Sequence, residues 1–199
     1  MSYAIVGFGA VGQALARAFA RKSIEVVVAS QRPPEALAPQ AQAIGRTVVP
    51  AALPDAVKAE MIFLAVPFWE HREVAKALAS WQGKTVIDAT NAYGIPVEDL
   101  GGLASSALIA RAFPGAKLVK GFNHLPAKRL AADPKVNGGR RVVFLSSDDE
   151  DAVAPVATLA GQLGFAPIAL GKLEEGGALV QGRGNTWGQL IFQDLFKRE

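Results

Sequence analysis

A doubly wound α/β fold, with a mainly parallel sheet, helices on both faces and a small C-terminal extension, is predicted for this chain of 199 residues by three observations. Short β-branched apolar runs alternate with helical patterns from the N-terminus to about residue 170. Most of those runs are continuously apolar, as strands buried on both faces are. A glycine-rich turn, GFGAVG at residues 7–12, joins the first run to the first helix. Buried strands joined through helices pair in parallel by crossover connections.

The elements follow in order. Strands are predicted at residues 3–7, 25–30, 47–49, 61–66, 85–90, 117–122, 140–147 and 166–170. A first helix over 11–21 puts Val11, Leu15, Ala18 and Phe19 on one side, and a second starts in the proline-rich stretch 31–39. A helix over 69–81 aligns Val74, Ala77, Leu78 and Trp81 in the same way. Residues 146–152 give an acidic first turn to VAPVATLAGQLG, which Gly164 stops. Turn formers fill 91–103, and 171–185 is a glycine-rich loop with a short helical centre before the final run, 186–199.

Composition narrows the classes. The formal charge of +3 is dispersed, with no basic run longer than a pair such as Arg21-Lys22 or Arg140-Arg141, so a nucleic-acid partner is not expected. There is no cysteine, hence neither a disulfide framework nor a thiolate metal site. The N-terminus enters a strand without a signal-peptide pattern, and no apolar run reaches the ~20 residues of a membrane span. A cytoplasmic location with no membrane contact is the expectation.

The glycine loop carries the first functional signal. GxGxxG alone is weak, but here it stands between a buried strand and a helix start, where a Rossmann-type fold holds a dinucleotide. Gly7 would allow the tight turn, Gly9 the approach of pyrophosphate and Gly12 the packing of helix on strand. Phe8, Ala10 and Val11 complete the loop, whose helix N-terminus offers free N–H groups to phosphate. At the end of the second strand, where NAD-binding units carry Asp or Glu, this chain has Ser30, Gln31 and Arg32. A guanidinium and a hydroxyl suit a 2′-phosphate, whereas an acid would repel it, so NADP(H) is favoured. The alternative for Arg32 is a solvated charge before a proline turn.

With these pieces in place, the chain resembles the NADPH-dependent oxidoreductases of the deazaflavin coenzyme F420 and their bacterial relatives. The resemblance rests on GFGAVG, SQR, LAVPF, DATNAYG, KGFNHLPA, RRVVFLSSDDEDA and LGFAPIALGKLEEGGAL, in that order. The cytosolic domain of the six-span metalloreductases is similar too. The resemblance implies that nicotinamide lies along Ala65, Val66 and Pro67 and along Ala89, Thr90 and Asn91. It also implies that a flavin or coenzyme F420 stacks over residues 122–126 and 176–184. On this basis the chain reads as one NADP-binding domain, 1–199, with 1–115 the dinucleotide core and 116–199 completing the sheet and the acceptor site. Two departures stand out: DATNA where the family often has DPTNP, and His124 in place of a small polar residue.

Hydride transfer between rings needs no nucleophile and no metal, since the cofactors carry the chemistry. No catalytic side chain is therefore assigned. His124, on the loop FNHLP, is a candidate for the acceptor site, as a ligand or a proton donor with a charge that changes near neutral pH, or else it fixes its loop. His71 reads as a surface or capping residue, and Glu174 with Glu175 as a solvated loop. No metal-ligand or nucleophile-elbow spacing occurs. Trp187 and LIFQDLF could stack on an acceptor, or belong to the core or to a homodimer surface. Two alternatives stand beside the reductase: an NADP-binding redox sensor without turnover, and a reductase of a small carbonyl or imine.

Overall fold

The computed structural model describes residues 1–96, 98–182 and 194–198. The first half alternates strand and helix: Tyr3–Val6 (β1), Ala10–Arg21 (α1), Val26–Ala29 (β2), Pro34–Ile44 (α2), Val48–Pro50 (β3), Leu53–Ala56 (α3) and Met61–Leu64 (β4). A 3-10 turn at Phe68–Glu70 leads into His71–Ala75 (α4), followed by Thr85–Asp88 (β5) and Ser105–Ala112 (α5). Then come Lys117–Gly121 (β6), Ala127–Ala131 (α6), Lys135–Val136 (β7), Gly139–Ser146 (β8), Val153–Gln162 (α7) and Ala166–Ala169 (β9). A π-helical turn at Leu173–Gly177 runs into Ala178–Val180 (α8), and Phe196–Arg198 (β10) closes the described chain.

Six parallel strands run in the order β3-β2-β1-β4-β5-β6, reversing direction of winding at β1 as a doubly wound sheet does. β8 then joins β6 antiparallel, through Lys120↔Ser146 and Gly121↔Leu145. β9 pairs parallel with β8, while β7 and β10 pair antiparallel with it. The sheet is thus mainly parallel, as expected, and carries a mixed edge that the sequence did not announce.

Alternate residues serve two cores. Ile5, Met61 and Phe63 face one side, where they meet Leu15 and Phe19 of α1 and Leu159 of α7. Ala4, Val6, Ile62 and Leu64 face the other, against Ala56 of α3, Val74 of α4 and Ile109 of α5. Phe19, Phe63, Phe122 and Phe165 form an edge-on ladder through the first core, with centroids 5.7, 5.3 and 5.9 Å apart.

Two expectations are corrected. The helix predicted over 69–81 ends as α4 at Ala75. Trp81 folds back instead: its indole Nε1 donates to the Ala75 carbonyl at 2.9 Å and its ring packs edge-on against Phe113. A helical spacing of apolar residues was satisfied by a loop that buries its tryptophan. The strands predicted to reach residues 66 and 90 stop at Leu64 and Asp88; Ala65 N and Ala89 N make a last donation across the sheet, to the Val6 and Leu64 carbonyls at 2.8 and 3.1 Å, and the chain departs after them. β7 and β10, short and charged, were not foreseen.

Candidate cofactor cleft

The loop after β1 is built by sterics. Gly7 has φ +101°, and a Cβ there would lie 2.3 Å from the Ala65 carbonyl oxygen. A Cβ on Gly12 would lie 1.9 Å from the Gly7 carbonyl oxygen, so α1 sits on the turn at a distance only glycine allows. Gly9, the residue that caps α1, has nothing within 4 Å of its missing side chain. Its side-chain position opens onto free space at the helix N-terminus, where N–H groups have no intrahelical partner. Ala10, exposed, and Val11, half-buried, make the first turn of α1.

Beside that loop lies a cavity of about 300 Å³. It is lined by Gly7, Phe8 and Gly9, by Ser30, Gln31 and Arg32 at the end of β2, and by Ala65, Val66 and Pro67 after β4. Leu53, Val66 and Val74 supply apolar wall, and Glu70 and Glu73 lie on its margin. The structure therefore brings three of the sequence-predicted segments to one cleft beyond the carboxyl ends of the strands. Ser30 Oγ accepts from Arg32 N at 3.0 Å, a turn that holds the pair together. Gln31 Nε2 donates to Glu70 Oε2 at 3.1 Å, across the cleft. Glu70 went unnoticed in the sequence, since 39 residues separate it from Gln31.

Ala89, Thr90 and Asn91 do not line this cavity. Thr90 is buried, its N and Oγ1 both donating to Asp88 Oδ1 at 2.9 and 2.7 Å. Asp88 Oδ2 accepts from Ser106 Oγ at 2.7 Å and from Lys120 Nζ at 2.9 Å, and Lys120 also donates to the Thr90 carbonyl. Both side chains of this ion pair are fully buried. Asn91 is committed as well: its Nδ2 donates to the Asn123 carbonyl at 2.8 Å, and its Oδ1 accepts from Gly182 N at 2.7 Å and Asn123 Nδ2 at 3.0 Å. Thr90 is buried with both backbone polar groups engaged, so contact with a ligand in this segment falls to the half-buried Asn91.

The same staples bring in the segment after β9. Asn123 Nδ2 donates to the Val180 carbonyl at 2.8 Å, and Ser105 N donates to Gln181 Oε1 at 2.8 Å. Ala104 N donates to the Glu174 carboxylate at 3.1 Å, so Glu174 ties down the start of α5 and is not a free loop charge. Phe122 turns the chain here with φ +62°, a left-handed conformation unusual for a bulky residue. Residues 183–193, including Trp187 and most of LIFQDLF, lie outside the described residues.

The histidines depart from expectation. His71 is buried, its Nδ1 donating to the Phe68 carbonyl and its ring against Phe68. His124 is 1% exposed, with its ring on Phe144 at 5.0 Å. Burial pushes its pKa down to about 4, opposed weakly by the neighbouring Val142 backbone, which lacks the geometry of a hydrogen bond. The expected change of charge near neutral pH is thus corrected: His124 is neutral there and is no imidazolium donor. Among the described residues no His, Asp or Glu side chains converge in threes as metal ligands. No helix among them is long and apolar enough to cross a membrane.

A doubly wound sheet with a glycine-rich cleft at the carboxyl ends of its strands defines a dinucleotide-binding protein of the Rossmann type. Residues 2–92 match the model of the family described as NADP oxidoreductase, coenzyme F420-dependent. A candidate F420-dependent NADP-reductase from Arthrobacter sp. is 30% identical, with TM-score 0.72, the match covering 87% of this chain and 86% of that one. This chain belongs to that family of NADP-dependent oxidoreductases. A hypothetical protein from Sinorhizobium meliloti is 40% identical with TM-score 0.90, over 99% of this chain and 96% of that one. Metalloreductase STEAP3 of Rattus norvegicus is 35% identical over 116 residues, 57% of this chain but 23% of the relative. The chain thus spans less than a quarter of the length of the curated metalloreductases it matches. An imine reductase from Aspergillus terreus, 20% identical with TM-score 0.67 over 89% of this chain and 57% of that one, shares the fold.

Proposed function

We propose that the chain binds NADPH in this cleft and passes its hydride to a flavin or to a deazaflavin such as coenzyme F420. The observation that carries the reading is the single cavity joining Gly7 and Gly9 to Ser30, Gln31 and Arg32 and to Ala65, Val66 and Pro67. In this reading the loop 7–12, with Phe8, Ala10, Val11 and Gly12, receives the pyrophosphate against the N-terminus of α1. Ser30 and Arg32 hold the 2′-phosphate, and the adenine takes the apolar slot of Leu53 and Val74. The nicotinamide lies along Ala65, Val66 and Pro67 and reaches toward the segment of Ala89, Thr90 and Asn91. The acceptor wall is the turn 122–126 with the segment stapled to Asn91 and Asn123, and His124 belongs to it as neutral packing. A homodimer in the cytoplasm is part of the same reading, and sedimentation analysis tests the dimer.

Hydride transfer asks the protein to hold two rings face to face and to exclude water. The cleft offers backbone and apolar surface for that task and no nucleophile. Titration of the protein with NADPH and NADH tests the cofactor half. Arg32→Ala should lower the NADPH to NADH affinity ratio by about tenfold or more, as loss of a charge-assisted pair to phosphate does. An unchanged ratio would remove Arg32 from the site. Stopped-flow oxidation of bound NADPH by FMN, FAD, riboflavin and coenzyme F420 tests the acceptor half. Turnover with at least one is expected, and none with any would overturn the reductase reading of the acceptor site.

A further inference from the structure

We infer that Glu70 is a second specificity determinant of the cleft, a carboxylate that opposes the 2′-phosphate and keeps the unphosphorylated dinucleotide competitive. The inference rests on the proposed placement of NADPH in the cleft.

NAD-binding units place an acid at the end of the second strand, where it accepts the ribose hydroxyls. This chain has none there, and its sequence alone argues for the phosphorylated cofactor. The fold changes that balance by delivering an acid from another strand. Glu70 ends the 3-10 turn after β4 and lines the cavity, and its Oε2 is fixed by Gln31 Nε2 at 3.1 Å. Gln31 stands between Ser30 and Arg32, so Glu70 is held one residue away from each of the groups assigned to the 2′-phosphate.

The neighbouring charges do not cancel it. Glu73, the other acid of the cavity, pairs with Lys76 at 2.7 Å. Glu70 forms no ion pair among the described residues, and the Arg32 guanidinium meets Gln40 of α2 at 3.5 Å. The corner therefore holds one cation from the β2 side and, from the β4 side, one carboxylate that meets the neutral Gln31 amide and no cation among the described residues. A 2′-phosphate is drawn by Arg32 and repelled by Glu70. A 2′-hydroxyl can donate to Glu70, as it does to the acid of an NAD site.

Glu70→Gln separates these effects while keeping an acceptor for the Gln31 amide. Dissociation constants for NADPH and NADH are measured by fluorescence titration, at low ionic strength and again with 0.5 M salt added. The variant should bind NADPH about three- to tenfold tighter at low salt and NADH no tighter than the wild type does. Added salt should shrink the gain, because exposed charges are screened beyond a few ångströms at such ionic strength. A ratio of the two constants within twofold of the wild type at low salt overturns the inference, and so does a gain shared equally by both cofactors. Arg32→Ala, measured alongside, tells the two failures apart. If it leaves the ratio unchanged, the 2′-phosphate assignment itself fails. If it lowers the ratio while Glu70→Gln does nothing, only the role of Glu70 falls.

Discussion

Replacing Lys120 by Met should destabilise the protein more than any surface substitution, and the structure says by how much. Lys120 and Asp88 are both fully buried, and their ion pair of 2.9 Å is the one charge balance available to either among the described residues. Lys120→Met leaves Asp88 with three neutral donors, Thr90 N, Thr90 Oγ1 and Ser106 Oγ, and with no counter-charge. Removing one partner of a buried pair costs about 3–5 kcal/mol. For a chain of this length each kcal/mol shifts the melting temperature by roughly 2–4 °C, so a fall of about 6–20 °C is expected. Circular dichroism melting at pH 7 measures it. Adding Asp88→Asn removes the stranded charge and should restore at least half of the loss. What stays lost is the donor to the Thr90 carbonyl, worth roughly 1–3 kcal/mol. A single variant that melts within 2 °C of the wild type, or a double variant that melts no higher than the single, would refute the reasoning.

Two further pairs of measurements follow from the same geometry. Gly9→Ala should leave the melting temperature unchanged yet weaken NADPH binding at least tenfold, since its Cβ would enter open space at the proposed phosphate site. Gly12→Ala should lower the melting temperature as well as weaken binding, because its Cβ would lie 1.9 Å from a backbone oxygen that cannot turn aside, and overpacking of this kind costs about 1–3 kcal/mol. His124 predicts an acid limb in stability: its folded pKa of about 4 lies below the unfolded value of 6.5, so the unfolded chain binds the extra proton first. Stability contributed above pH 6.5 is lost as the pH falls toward 4, by about 3 kcal/mol in full. His124→Phe, which gives up no hydrogen bond and keeps the contact with Phe144, should flatten that limb in urea melts between pH 7 and 4.

The half of the fold from β1 to β6 was legible because buried parallel strands leave an unbroken apolar record and glycine marks the one turn where a side chain cannot fit. That record reports burial and not pairing. Ala65, Val66, Ala89 and Thr90 therefore read as strand, although the strands end at Leu64 and Asp88, and Trp81 read as helix although it folds back onto Ala75. Phe196–Arg198 makes a strand out of a mostly charged tripeptide, which only its partner β8 specifies. The polar staples were invisible for a related reason. Glu174 meets Ala104 across 70 residues and Gln181 meets Ser105 across 76, and no local spacing encodes such a pair.

That contrast bears on how the two halves of the site can change. The proposed cofactor half is set by backbone: Gly7 and Gly12 fix the loop through contacts of main-chain atoms, and almost any side chain there would break it. The segment proposed as the acceptor wall is held by side chains instead, by Asn91, Asn123, Glu174 and Gln181, each replaceable alone at the cost of one to three hydrogen bonds. A hydrogen bond is worth about 1 kcal/mol net, so this wall can be re-shaped in small steps while the dinucleotide loop stays as it is. Relatives that keep the loop and take different hydride acceptors are the expected product of such a construction. The acceptor of this chain should accordingly respond to substitutions at Asn123 and Gln181 and be indifferent to those in the loop.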